Sequence, residues 1–230
     1  MIAFLFVDLD DTILDFHQEE RIALSQTLRA FGLEPTEEVM GRYSQINKGY
    51  WERLERKEIS REEVLVGRFA SLFQEFGIQK EPERCARAYE ENLAKGHIFL
   101  PGAEEALERL SKKYKLYLAS NCTASVQDGR LTSSGIGRYF EEVFVSQKIG
   151  ANKPDRLYFE RCFAKIPGFD VKQAMIVGDS LTSDILGGKQ AGMATCWINP
   201  TGKPAREDIQ PDYEIQYLSQ LEALLAEKGL

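Results

Sequence analysis

Three carboxylates fall within four residues near the amino terminus, Asp8, Asp10 and Asp11, and Thr12 follows at once. Such crowding is tolerable where a divalent cation sits among the oxygens, and Mg²⁺ favours one or two carboxylates completed by phosphate oxygens and water. Three further groups have chemical potential. Ser120-Asn121 offers a hydroxyl and an amide, Lys153 a point positive charge, and Asp179 with Asp184 a second acidic pair. The chain has only two histidines, His17 and His97. Acid–base work at neutral pH therefore falls to carboxylates.

The elements that must position these groups are legible in the pattern. Ile2 to Val7 is an uninterrupted apolar run, which reads as a strand buried on both faces of a parallel sheet. Burying three carboxylates without counter-charge costs several kcal/mol or more, so they belong at the strand's carboxyl end. Open α/β sheets bind ligands at that edge. Strands are likewise expected at Lys115–Ala119, Val143–Val145, Ala174–Val177, Ala194–Ile198 and near Tyr213–Ile215, with helices between them. Pro154 is expected at the first position of a helix running to Lys165, where a missing N–H is harmless, and a helix over Ser183–Gln190 is expected to end at Gly192. Strand–helix repetition of this kind gives a parallel sheet with helices on both faces.

Between the first strand and this series the periodicity is helical throughout. Glu19–Phe31 shows Ile22, Leu24, Leu28 and Phe31 as an apolar stripe; Thr36 caps a second helix; Ser60-Arg-Glu-Glu63 is a capping box; Glu83–Lys95 is amphipathic. The expected organisation is a core of residues 1–14 and 97–230 with an all-helical domain, 15–96, inserted after the first strand. An insertion at that edge can act as a lid.

The 230 residues carry a net charge of −7, which argues against a nucleic-acid backbone as partner. No run approaches a membrane span. Cys85, Cys122, Cys162 and Cys196 are far apart and read as reduced thiols of a cytoplasmic protein.

Taken together, Asp8-Leu-Asp10-Asp11-Thr12, Ser120-Asn121, Lys153-Pro154 and Gly178-Asp179-Ser-Leu-Thr-Ser-Asp184 resemble the four motifs of the haloacid dehalogenase-like superfamily. One departure is Cys122, where the second motif commonly has glycine. The resemblance implies a Rossmann-like doubly wound core with a helical cap, and a Mg²⁺-dependent phosphomonoester hydrolase, with Mn²⁺ a possible substitute. It implies Asp8 as nucleophile, forming an aspartyl-phosphate. Asp10 is implied as general acid and base, its carbonyl also on the metal. The period of a strand would place Asp10 on the same side as Asp8, whereas Asp11 points elsewhere and caps or faces solvent. Thr12, Ser120 and Asn121 would bind phosphoryl oxygens and Lys153 would balance their charge. Asp179 would ligate the metal, and Asp184 would ligate it through water or orient Lys153. Gly178 would allow close backbone approach, and Gly187 and Gly188 tight helix packing.

Asp10 favours ester hydrolysis over 2-haloacid dehalogenation. Ile46-Asn-Lys48 with Trp51, and the segment from Gly178 to Asn199, resemble the pyrimidine nucleotide phosphatases of the superfamily. The implied substrate is a nucleoside monophosphate, handled by a monomer or homodimer. His17, Asn47, Lys48, Tyr50 and Trp51 are the expected specificity residues of the helical domain. The alternatives are a phosphatase for a sugar phosphate or phosphoglycolate, and a phosphate-binding relative without activity.

Overall fold

Alternate residues of the first strand face opposite sides of a sheet, and both sides are apolar. The computed structural model describes all 230 residues. In it β1 (Phe4–Val7) sends Leu5 and Val7 into one core and Phe4 and Phe6 into another. The remaining strands are β2 (Lys115–Ser120), β3 (Glu142–Val145), β4 (Ala174–Gly178), β5 (Ala194–Ile198) and β6 (Tyr213–Ile215). All pairings are parallel, in the order β3-β2-β1-β4-β5-β6. The order reverses at β1, so the crevice at its carboxyl end is the switch point where doubly wound sheets hold ligands. Val7 is level with Leu118 on one side and Val177 on the other. The chain therefore leaves β1, β2 and β4 together, carrying Asp8, Ser120-Asn121 and Asp179 to one edge.

The chain divides into two compact units, residues 1–16 with 97–230, and residues 17–96. The second is built from α1 (Phe16–Ala30), α2 (Glu37–Glu55), α3 (Arg61–Glu75) and α4 (Pro82–Leu93). Thr36 caps α2 through Val39 N–H at 3.3 Å. Ser60 and Glu63 exchange both hydrogen bonds of a capping box on α3, which satisfies two amide donors that helix geometry leaves open. Tyr43, Phe69 and Tyr89 form its aromatic centre. Ile22, expected in the apolar stripe of α1, is instead 46% exposed, while Ala23, Leu24, Thr27 and Leu28 take the buried face.

The first unit continues with α5 (Ala103–Ser111), α6 (Ala124–Ser134), α7 (Ser146–Ile149), α8 (Arg156–Phe163), α9 (Leu186–Ala191) and α10 (Leu221–Lys228). Two helix starts differ from expectation. Pro154 does not open α8; it follows a cis peptide from Lys153, and Asp155 is the cap, accepting from Leu157 N–H at 3.1 Å. The segment Leu181–Ile185 is not α-helical. It is a wide turn in which Ile185 N–H reaches back five residues to Ser180 O at 3.1 Å. Single wide turns of this kind recur at functional sites. Gly187 and Gly188 sit where a Cβ would collide with Phe159 and with Ile176, so α9 packs against α8 and β4 with no side chain between them. No helix is long and apolar enough to cross a membrane.

Candidate active site

Lys153 is the centre of the site. It is 1% exposed, and its ammonium donates at 2.6 Å to each of three acceptors: Asp8 Oδ1, Asp184 Oδ1 and the carbonyl of Ala119. Those bonds engage all three of its protons. The two carboxylates draw its pKa above the usual lysine range although burial opposes them. A charge buried this deeply persists only when paired and fully hydrogen-bonded.

The segment that carries Lys153 is held by Asn121. Its Oδ1 accepts from Lys153 N–H at 2.9 Å; its Nδ2 donates to Lys153 O at 2.9 Å and to Ser183 Oγ at 3.3 Å. The expected amide donor to a ligand is thus engaged in clamping the lysine main chain. Ser120 is 1% exposed and donates to Gln127 Oε1 at 3.3 Å. Thr12 is also 1% exposed, and its hydroxyl has no partner. A buried hydroxyl left open costs about 1–3 kcal/mol, which a ligand oxygen at that point would recover.

Asp8 follows β1, its N–H bonded to Val177 O at 2.9 Å. Asp179 follows β4, and its carbonyl accepts from Trp197 Nε1 at 2.7 Å. Asp184 comes from the wide turn, which folds its carboxylate back so that Oδ2 accepts from Ser180 N–H at 3.1 Å. A Cβ on Gly178 would overlap that carboxylate, so glycine is required for Asp184 to take this place. Carboxylate oxygens of Asp8, Asp179 and Asp184 lie within 4.8 Å of one another. Burial pushes Asp8 well above the usual carboxylate range; Lys153 opposes the shift, and Asp184 and Asp10 add to it. Asp179 is raised for the same reason, by burial and then by Asp184 and Asp8. Three crowded carboxylates with one ammonium are short of positive charge. An all-oxygen donor set that lacks cation charge fits Mg²⁺, or Mn²⁺ in its place.

The period of a strand does not set Asp10, because the ladder of β1 ends at Val7. A tight loop does so: Ile13 and Leu14 N–H both return to Leu9 O, at 2.9 and 3.0 Å, and Asp11 N–H bonds to Leu14 O at 2.8 Å. Asp11 adopts φ 52° and accepts from Phe16 N–H at 3.0 Å, capping the entry to α1. Asp10 pairs with Arg130 of α6, which is fully buried. Neither Gln127 nor Arg130 stands out in the sequence, where both fall among the polar positions of a helix traced through Val126 and Leu131. Their three-residue spacing after Ser120-Asn121 was the available signal.

The residues expected to set specificity do not share one face. Asn47 is buried, donating to Glu20 Oε1 at 2.7 Å and accepting from Arg68 at 2.9 Å. Lys48 is exposed, 4.0 Å from Glu52. The Tyr50 hydroxyl meets Ser71 Oγ at 2.9 Å, and Trp51 lies under Arg61. His17 lines a cavity of about 280 Å³ with Glu20, Arg21 and Ser44.

Residues 5–198 match the family described as haloacid dehalogenase-like hydrolase. The chain is similar to the pyrimidine 5'-nucleotidase PynA of Streptococcus pneumoniae, 39% identical with 92% of this chain and 90% of that protein covered. It is 29% identical to the pyrimidine 5'-nucleotidase YjjG of Escherichia coli, with 96% of each covered. A magnesium-bound crystal structure of YfnB from Bacillus subtilis superposes with a TM-score of 0.93 at 37% identity, covering 97% of this chain and 98% of that one.

Proposed function

The chain belongs to the haloacid dehalogenase-like hydrolases and is a phosphoric monoester hydrolase, and we propose that it releases phosphate from pyrimidine nucleoside 5'-monophosphates through an aspartyl-phosphate on Asp8. The observation that carries this reading is the binding of Asp8 Oδ1 to Lys153, which leaves Oδ2 as the attacking atom. Asp8 Oδ2 bonds to phosphorus as the ester P–O bond breaks, and Asp10 gives its proton to the departing alkoxide. Asp10 then takes a proton from the water that attacks phosphorus and releases Asp8. Proton transfer of this kind contributes roughly 10²–10⁴-fold.

Thr12 and Ser120 are assigned to the phosphoryl oxygens, with the partnerless Thr12 hydroxyl giving the clearest support, and Asn121 to holding the Lys153 segment beside them. Asp8, Asp179, Asp184 and the Asp10 carbonyl would hold a divalent cation, which would supply positive charge to the same oxygens. Lys153 fixes the rotamers of Asp8 and Asp184 and offsets their repulsion before substrate arrives. Base selection is assigned to the helical unit, with His17, Asn47, Lys48, Tyr50 and Trp51 as its candidates. Four free, buried thiols, among them Cys85 and Cys196, pushed up to about 12 by burial, suit a cytoplasmic setting.

The test is phosphate release from UMP, dUMP, dTMP, purine nucleotides, a phosphosugar and phosphoglycolate with Mg²⁺, with Asp8→Asn as control. Preference for the pyrimidine nucleotides, lost in the variant, is expected. Preference for the phosphosugar or phosphoglycolate would overturn the substrate assignment and keep the mechanism.

A further inference from the structure

We propose that Arg130 is a positioning residue for Asp10, holding its Oδ1 so that Oδ2 is the oxygen that exchanges the proton with the leaving group. The inference rests on the phosphatase reading above and assigns that site a part no motif contains.

The argument begins with α6. Its buried side chains are Val126, Gln127 and Arg130, so two of the three are polar. Each polar one meets a residue of the site. Gln127 accepts from the Ser120 hydroxyl, and one turn later Arg130 donates through its Nη1 to Asp10 Oδ1. The Arg130 side chain is 0% exposed and that of Asp10 28%. The carboxylate therefore presents a guanidinium-bound side to the protein and an open side to solvent. The guanidinium carbon also lies 6.0 Å from the Phe16 ring centroid, a contact that restrains the plane of the fork.

Stability alone does not account for this arrangement. Well-packed apolar residues in place of a buried ion pair are often neutral or stabilising. Asp10 lies in a tight loop beyond the end of β1, where an isolated bridge to Leu14 fixes its main chain but not the rotamer of its carboxylate. Its reach toward a substrate oxygen depends on its rotamer, and misplacement by 1 Å can lower a rate about 10²-fold. Arg130 supplies the missing constraint. Arginine suits the task because its charge is permanent and its fork is rigid.

The experiment compares kcat/KM for two esters in wild type, Arg130→Met and Arg130→Lys, at saturating Mg²⁺. One ester is UMP, whose alkoxide needs a proton to leave. The other is p-nitrophenyl phosphate, whose phenolate does not. For both, kcat/KM reports the steps up to the first irreversible bond cleavage. Arg130→Met is expected to lose about 10²-fold on UMP and to keep p-nitrophenyl phosphate within about threefold of wild type, with KM for both little changed. Arg130→Lys is expected to recover part of the loss on UMP. Should Arg130→Met fail to fold, the same ratio in Arg130→Lys decides, since lysine keeps the charge and loses the fork. Equal losses on both esters, or no loss on either, would overturn the proposal and leave the phosphatase reading intact. Wild-type protein that hydrolyses neither ester would overturn the reading on which it rests.

Discussion

Asp8 and Asp184 share one ammonium. Lys153 Nζ lies 2.6 Å from Oδ1 of each, and the three groups are 7%, 1% and 1% exposed, with Asp8 the most open. Removing the ammonium leaves Asp184, and Asp8 wherever it is ionised, buried without a counter-charge. Lys153→Met is therefore expected to lower stability by about 3–5 kcal/mol and to abolish turnover. Urea denaturation followed by circular dichroism reads the first effect and phosphate release the second. A variant as stable as wild type would show that the two carboxylates are not ionised together.

Asp8→Asn acts in the opposite sense on stability. Burial already favours the neutral form of Asp8, and asparagine is neutral and nearly isosteric. Without added metal, the variant should melt at or above the wild-type temperature while phosphate release falls by about 10³-fold or more. Differential scanning calorimetry in EDTA, beside an activity assay, checks both halves.

The raised pKa of Asp8 gives a pH dependence with a definite sign. Its folded value lies at about 8 against an ordinary 3.8. The folded state then binds the proton more tightly than the unfolded one, so its contribution to stability is complete below about pH 4 and is lost as pH rises toward 8. Asp179 shifts in the same direction. In EDTA the melting temperature should decline across that window. Mg²⁺ should remove the decline, because it takes over the role of the bound proton. A Tm that rises with pH in EDTA would contradict the assignment.

Gly178→Ala places a methyl group against the Asp184 carboxylate. Backbone shifts of this kind cost about 1–3 kcal/mol, and here they also move a carboxylate of the acidic cluster. The Mg²⁺ concentration for half-maximal activity should rise, whereas alanine at Gly41, which has open space around it, should leave it unchanged. A metal titration of both variants separates the two cases.

Asn47 bridges Glu20 and Arg68 inside the helical unit. Asn47→Ala leaves a buried carboxylate and a buried guanidinium each short of a partner, at about 1–3 kcal/mol. Proteolysis confined to residues 17–96 should accelerate in the variant. A change in nucleotide preference without that acceleration would mark Asn47 as a reader of the base.

How much of this was readable beforehand depends on where each cause lies. The central strands announced themselves because two-sided burial demands apolar runs, and β1, β2 and β4 carry Asp8, Ser120 and Asp179 at or just past their ends. Thr36 and Ser60 were legible because capping is a local interaction. The wide turn at Leu181–Ile185 was not, since it results from Asp184 folding back over Gly178, a contact between strand and turn. Pro154 suited a helix start by its own chemistry, yet Asp155 takes the cap. Arg130 is the sharpest case. A charged residue in a helix ordinarily marks the solvent face. Its burial follows from Asp10, which is 120 positions away.

The central position of β1 also has a consequence for how the chain is made. Phe4 to Val7 come before every other strand of their sheet, and their two neighbours start only at Lys115 and Ala174. Pairings separated by roughly 100 residues or more carry a large closure entropy and form slowly. During translation β1 emerges before the other strands of its sheet and waits, while α1 to α4 can assemble from contacts close in sequence. Asp8 therefore sits at the end of a strand that stays unpaired until its neighbours are made. A nascent chain stalled before Ala174 should need chaperone protection that the finished protein does not.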